Sequence, residues 1–121
     1  MADRMLFISW GSSIPGREER GLEVFNEAIG LHGRLQQEGR TDSFDVVLLG
    51  ANGSGLNGYI EVHGSAQQLA ALREDDAFGR NLVDASLVVR DLQVSEGYTN
   101  EGIASQMEIY QEAVGKVAQT V

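Results

Sequence analysis

The chain has no cysteine. That excludes disulfide staples, thiolate metal sites and cysteine nucleophiles. Basic residues are scarce as well: 9 Lys and Arg stand against 18 Asp and Glu, a net charge of −9 over 121 residues. Such an excess repels phosphate backbones and anionic bilayers at long range, so neither nucleic acid nor a membrane surface is expected as a partner. No segment approaches the roughly 20 apolar residues of a membrane-spanning helix, and the first residues lack the apolar run of a signal peptide. A cytoplasmic protein is the expectation. The two histidines, His32 and His63, are far apart with no ligand spacing between them, so the sequence predicts no metal. Gly53 to Gly58 matches the dinucleotide fingerprint G-x-G-x-x-G literally, but a strand pattern follows it. Without a helix N-terminus to hold a pyrophosphate it reads as a hairpin turn, and no cofactor is expected.

What is present is a regular alternation of strand and helix patterns, in a length that suits one domain over residues 1–121. Met5-Leu6-Phe7-Ile8-Ser9-Trp10 is too short for a helix and meets the punctuation Gly11 to Gly16, so it reads as a buried first strand. From Arg17 onward, Leu22, Phe25, Ala28, Ile29, His32 and Leu35 recur at three- and four-residue steps, the mark of an amphipathic helix ending near Gly39. Gly21, Gly30 and Gly33 each cost that helix roughly 1 kcal/mol relative to Ala. Close packing on a sheet is the expected compensation. Phe44 to Leu49 and Tyr59 to His63 flank a turn with two Asn-Gly pairs and form a hairpin. Ser65 and Gln68 fit a capping box for a helix starting at Ala66, and Asp75-Asp76 caps a second segment of it. Leu92 to Glu96 is a fourth strand. Thr99 is placed to cap a last helix, along which Ile103, Met107, Tyr110, Val114 and Val117 draw a narrow apolar seam.

The stretch Gly58 to Ser65 carries the most chemistry. Side chains alternate faces along a strand, so Ile60 and Val62 share one side while Tyr59, Glu61 and His63 share the other. Gln93 and Ser95 are same-parity candidates on the fourth strand. An imidazole beside a carboxylate in a partly dry site can exchange a proton near neutral pH. The same three residues also suit a face shown to water or a hydrogen-bonded subunit contact. Trp10 reads as core or as the wall of a ligand pocket. His32 lies on the apolar stripe of the first helix, as a core or cavity-edge histidine. Arg17, at the start of that helix, could pair with an anion in the Gly11 to Arg17 turn, though the Lys-Ser/Thr ending of a P-loop is missing.

The order strand, helix, strand, strand, helix, strand describes two split βαβ halves. This is an α+β, ferredoxin-like βαββαβ sandwich with a four-stranded antiparallel sheet and an extra C-terminal helix. Helices cover one sheet face. The other cannot be fully polar, because Phe44 to Leu49 has apolar residues at both parities, and such a face favours a partner. Here the chain resembles the dimeric α+β barrel superfamily, through its element order, Trp10 closing the first strand, and Gly64-Ser65-x-x-Gln68-Leu69 at the second helix. That resemblance implies a homodimer with two sheets face to face, and a small-molecule ligand in the barrel or between sheet and helices. The superfamily includes cofactor-independent monooxygenases, lactone isomerases, haem-handling enzymes and proteins without assigned activity, and fold alone does not choose among them. The expected function is binding of a small, partly aromatic or apolar metabolite. If the protein is an enzyme, the expected chemistry is cofactor-independent proton transfer or oxygenation, with His63 as acid–base group, Glu61 orienting it, and Tyr59, Trp10 and Ser95 shaping the pocket. The alternative is a non-catalytic dimeric module whose polar strand face completes the interface.

Overall fold

The computed structural model describes residues 2–118 and 120; residues 1, 119 and 121 of the expected span 1–121 lie outside the described residues. Its elements are β1 (Arg4–Trp10), α1 (Glu18–Gln37), β2 (Ser43–Leu48), β3 (Gly58–Gly64), α2 (Ala66–Arg73), α3 (Asp76–Ser86), β4 (Gln93–Tyr98) and α4 (Glu101–Gly115). The four strands form one antiparallel sheet in the order β2-β3-β1-β4. This is the ferredoxin-like arrangement, with β1 and β3 in the middle. No helix among the described residues is long and apolar enough to cross a membrane.

The period-2 pattern decides which side of the sheet is covered. Leu6 and Ile8 of β1 and Ile60 and Val62 of β3 point to the helices and are buried with Ala28, Leu31 and Leu35 of α1, Leu69 and Leu72 of α2, and Phe78 of α3. Leu6 and Val62 are fully enclosed. Burying a side chain of this size stabilises the fold by about 1.5–3 kcal/mol. The residues of β3 that point to the opposite face are only half-buried.

The helix ends follow local chemistry. At α2 the Ser65 hydroxyl accepts from the Gln68 amide (3.1 Å) while the Gln68 side chain accepts from the Ser65 amide (2.8 Å), which completes the capping box. Asp75 caps α3 by accepting from the Phe78 amide (2.9 Å) and also pairs with Arg40 (2.7 Å). Those bonds favour the carboxylate form, and the Asp75 carboxyl is held below its usual range, chiefly by Arg40.

Four expectations need correction. Leu22 is exposed, whereas the expected Ala28, His32 and Leu35 are buried and Val24 and Leu31 complete the buried stripe of α1. A wide helix face offers more than one apolar row, and the sheet's position selects among them. Gly30 and Gly33 have nothing within 4 Å of the space a Cβ would occupy, so close packing does not explain them; only Gly21 approaches a neighbour, Val88 at 3.9 Å. Thr99 does not cap α4. Asn100 holds that position with φ of 50° and makes no side-chain cap bond; its Nδ2 instead donates to the Ala2 carbonyl (2.6 Å). Finally, Asn57-Gly58 is not part of the turn proper, because Gly58 already lies in β3. Asn52-Gly53 makes the turn: Asn52 Oδ1 accepts from the Ser54 amide (2.8 Å), and Gly53 and Gly55 take φ values of 75° and 84°. Left-handed backbone of this kind suits Gly.

Candidate functional site

Strand register assigns every residue of the open face. On β3, Tyr59, Glu61 and His63 pair with Ser9, Phe7 and Met5 of β1 on one side and with Val47, Asp45 and Ser43 of β2 on the other. Across β1, Ser9, Phe7 and Met5 in turn face Gln93, Ser95 and Gly97 of β4. The expected stripe of Tyr59, Glu61 and His63 therefore shares a face with Gln93 and Ser95, with β1 between them. The Phe7 and Tyr59 rings meet at 4.8 Å between centroids. The polar cluster gathers at the other end of the strand: His63 Nε2 lies 3.4 Å from Glu61 Oε2 and 3.5 Å from Asp45 Oδ2.

Asp45 was missed in the sequence. It reads there as an isolated acid in an apolar strand, and only the hairpin register, which sets it directly opposite Glu61, brings it to the imidazole. The pairing is symmetric about Gly53, with Leu48 opposite Gly58 and Asp45 opposite Glu61; a count outward from Asn52-Gly53 as a two-residue turn is one residue out of register and sets Asp45 against Ile60.

The remaining site candidates lie elsewhere. Trp10 is on the helix side of the sheet, opposite to Tyr59, because β1 presents Leu6, Ile8 and Trp10 to the core. It cannot shape a pocket around His63. Its indole covers Gly58, where an added Cβ would come within 2.7 Å of Trp10 Cζ2, and its ring approaches Phe25 of α1 edge-on at 6.0 Å. Gly58 is thus needed for close approach rather than for its own dihedrals.

His32 also lies inside the helix-side core, fully buried between Phe44 and Phe78 at ring distances of 5.7 and 5.9 Å, and its Nδ1 has no hydrogen-bond partner among the described residues. Burial lowers its pKa to about 4, so it is neutral at pH 7. Arg17 donates to the Leu87 carbonyl (2.6 Å). The amides of Gly11 and Ile14 likewise donate to the carbonyls of Arg90 and Val88 (2.7 and 2.9 Å), so the turn before α1 is zipped to the α3–β4 connection. Those amides do not form an anion cradle.

A cavity of about 240 Å³ opens between the sheet and the helices. Ile8, Trp10 and Ile60 form its floor, Gly21 and Phe25 of α1 and Leu82 of α3 its walls, and Leu22, Leu48, Glu18, Asn57 and Asn81 reach its lining as well. Its walls are mostly apolar, as is usual for small-molecule sites, and its size lies just below their roughly 300–1,000 Å³ range. The Asn81 side-chain amide donates to the Val24 carbonyl (3.3 Å), which ties α3 to α1 beside the cavity.

No family model matches the chain, and no curated protein matches it in sequence. Solved structures do match in fold. A dimeric ferredoxin-like protein of unknown function from Bacteroides fragilis NCTC 9343 superposes with a TM-score of 0.59 at 10% identity, over 79% of this chain and 96% of its own. A candidate antibiotic biosynthesis monooxygenase from Chloroflexus aurantiacus J-10-fl gives 0.53 at 12% identity, over 80% and 93%. SnoaB, a cofactor-independent oxygenase from Streptomyces nogalater, gives 0.50 at 14% identity, over 82% and 93%. At these identities the likeness is one of backbone architecture. With its β2-β3-β1-β4 sheet and helix-covered face, the chain has the ferredoxin-like fold that these proteins share.

Proposed function

We propose that this chain acts as one domain, as a homodimer in which each protomer binds a small, apolar or aromatic metabolite in the helix-side cavity. The observation that carries this reading is the cavity itself, an apolar hollow beside Trp10, Phe25, Ile60 and Leu82. Moving apolar ligand surface out of water there is worth about 25 cal/mol per Å², and Asn57 and Asn81 offer amides to orient a polar end. Binding, rather than turnover, is the function these walls support. Glu18 is the only ionisable side chain among the described lining residues, and acid–base catalysis needs a titrating group within hydrogen-bond reach of the ligand. His63 and Glu61, as an acid–base pair, could serve only a ligand on the open face.

Dimerisation is supported by that open face, where Met5, Phe7, Val47 and Tyr59 stand among polar residues, and by exposed Ile103, Met107 and Tyr110 on α4. Apolar side chains left open to water favour association, and the Bacteroides neighbour is itself described as dimeric. In this reading Tyr59, Gln93 and Ser95 belong to the subunit contact.

Trp10 is the only tryptophan in the chain and lines the cavity, so its emission reports occupancy. Titration with the neutral probe N-phenyl-1-naphthylamine is expected to quench Trp10 saturably. Gly21→Leu, whose added Cβ meets only Val88 at 3.9 Å, is expected to fill the cavity and abolish the response, and His63→Ala to leave it intact. Absence of saturable quenching, or quenching unchanged in Gly21→Leu, removes the cavity from the proposal. Sedimentation showing a stable monomer at micromolar concentration removes the dimer.

A further inference from the structure

The open sheet face contains an electrostatic arrangement that the ligand cavity does not explain. Asp45 and Glu61 are directly opposed across the β2–β3 ladder. Like charges in that position are destabilising, so a cation is expected between or beside them. None of the face positions assigned by register carries Arg or Lys: they are Met5, Phe7 and Ser9 on β1, Ser43, Asp45 and Val47 on β2, Tyr59, Glu61 and His63 on β3, and Gln93, Ser95 and Gly97 on β4. Among those positions His63 alone carries an imidazole. It makes no hydrogen bond to either acid, for its Nε2 stops at 3.4 and 3.5 Å from their oxygens, beyond the 2.7–2.9 Å of a charge-assisted bond.

Those separations fit a different geometry. Two ligand atoms each about 2.1 Å from a common ion and at the tetrahedral angle to one another lie about 3.4 Å apart. One donor atom from each of Asp45, Glu61 and His63 can be chosen so that all three fall within 4.8 Å of one another. The convergence comes from the backbone: Glu61 and His63 are two residues apart on one strand, and Asp45 is held opposite by the ladder, so flexible loops are not required to assemble the site. Asp45 is also well exposed, its side chain 69% open to solvent, which gives an ion access.

We propose that Asp45, Glu61 and His63 bind one divalent first-row transition-metal ion, through one carboxylate oxygen from each acid and the imidazole Nε2. This site stands apart from the helix-side cavity and does not rest on the function proposed for it. One imidazole with two carboxylates suits Zn²⁺ or Mn²⁺, whereas Ca²⁺ and Mg²⁺ favour all-oxygen surroundings. Three protein ligands leave at least one position for water or for an atom from a second subunit. The sequence predicted no metal because it offered only the two histidines as a pair to test, and they lie on opposite sides of the sheet. The ligands come instead from cross-strand register around one of them.

The test uses the full chain, stripped with chelator and titrated with ZnCl₂ by calorimetry and with MnCl₂ by electron paramagnetic resonance. Saturable, equimolar binding is expected for both ions. Asp45→Asn keeps the shape of an exposed side chain and should leave the circular dichroism spectrum unchanged. Its affinity for Zn²⁺ is expected to fall by at least the roughly 10- to 100-fold typical of losing an outer partner of a metal site. His63→Ala should lower it similarly, and Glu108→Gln on α4 should not change it. The proposal is overturned if wild type binds neither ion stoichiometrically, or if Asp45→Asn and His63→Ala bind Zn²⁺ as tightly as Glu108→Gln.

Discussion

The two faces of the sheet are made by the same strands and differ in almost every other respect. Toward the helices, Leu6, Ile8, Ile60 and Val62 are buried in one apolar core. Toward the opposite side, the intervening Phe7, Tyr59, Glu61 and His63 are half-buried and mix rings with charge. The first face holds a solvent-accessible hollow with mostly apolar walls and one carboxylate, Glu18, in its lining; the second holds the half-buried Glu61 and His63 beside exposed Asp45. The comparison separates two roles that the strand pattern alone had joined. The apolar hollow is on one side, and the Asp45, Glu61 and His63 cluster is on the other.

The largest effect expected from breaking this division is at adjacent residues of β1. Leu6→Ala on the core side should cost about 2–5 kcal/mol, since it removes a fully buried side chain and leaves a cavity. Phe7→Ser, one residue on, should change protomer stability less but weaken self-association. Denaturant melts and sedimentation of the two variants check this; equal losses of stability would erase the distinction between the faces.

The next effect is pH-dependent and belongs to the core side alone. The His32 pKa is lowered from 6.5 to about 4 by burial, so the unfolded chain binds the proton more readily than the native one. Stability is therefore fully present above about pH 6.5, falls as pH drops toward 4, and loses roughly 3 kcal/mol across that window if the full shift is realised. His32→Leu should flatten this dependence. Chemical denaturation from pH 7 to pH 4 measures it, and an unchanged slope in the variant would exclude His32 as its source.

The smallest effect sharpens the account of α1. Gly30→Ala fills open space on an exposed helical surface, so it should stabilise the protein by up to about 1 kcal/mol. Destabilisation on thermal unfolding would show that the Gly30 backbone is needed for a contact that the protomer does not contain.

Much of the fold was legible because its signals are local. Ser65 and Gln68 are three residues apart, and their reciprocal hydrogen bonds depend only on the first turn of α2; Asp75 caps α3 for the same reason. The split of β3 into Ile60 and Val62 against Tyr59, Glu61 and His63 follows from the two-residue strand period. Failures occur where a local signal had competitors. Leu22 belonged to one of two apolar rows on α1, and only the sheet's position chose the row through Val24 and Leu31. Thr99 is a good capping residue, but the backbone turned one residue later, at Asn100, where the chain is bonded back to Ala2 and Asp3.

The candidate sites show the same boundary. By itself, the sequence determined the element order, the helix caps on α2 and α3, and the shared face of Tyr59, Glu61 and His63, because each depends on residues a few positions apart. Tertiary structure alone decided that Trp10 lies across the sheet from His63, that Asp45 stands beside it, and that His32 is enclosed. Those relations depend on strand register and on the seating of helices against a sheet. They are set by contacts between distant segments, and a one-residue change of register would reassign every one of them.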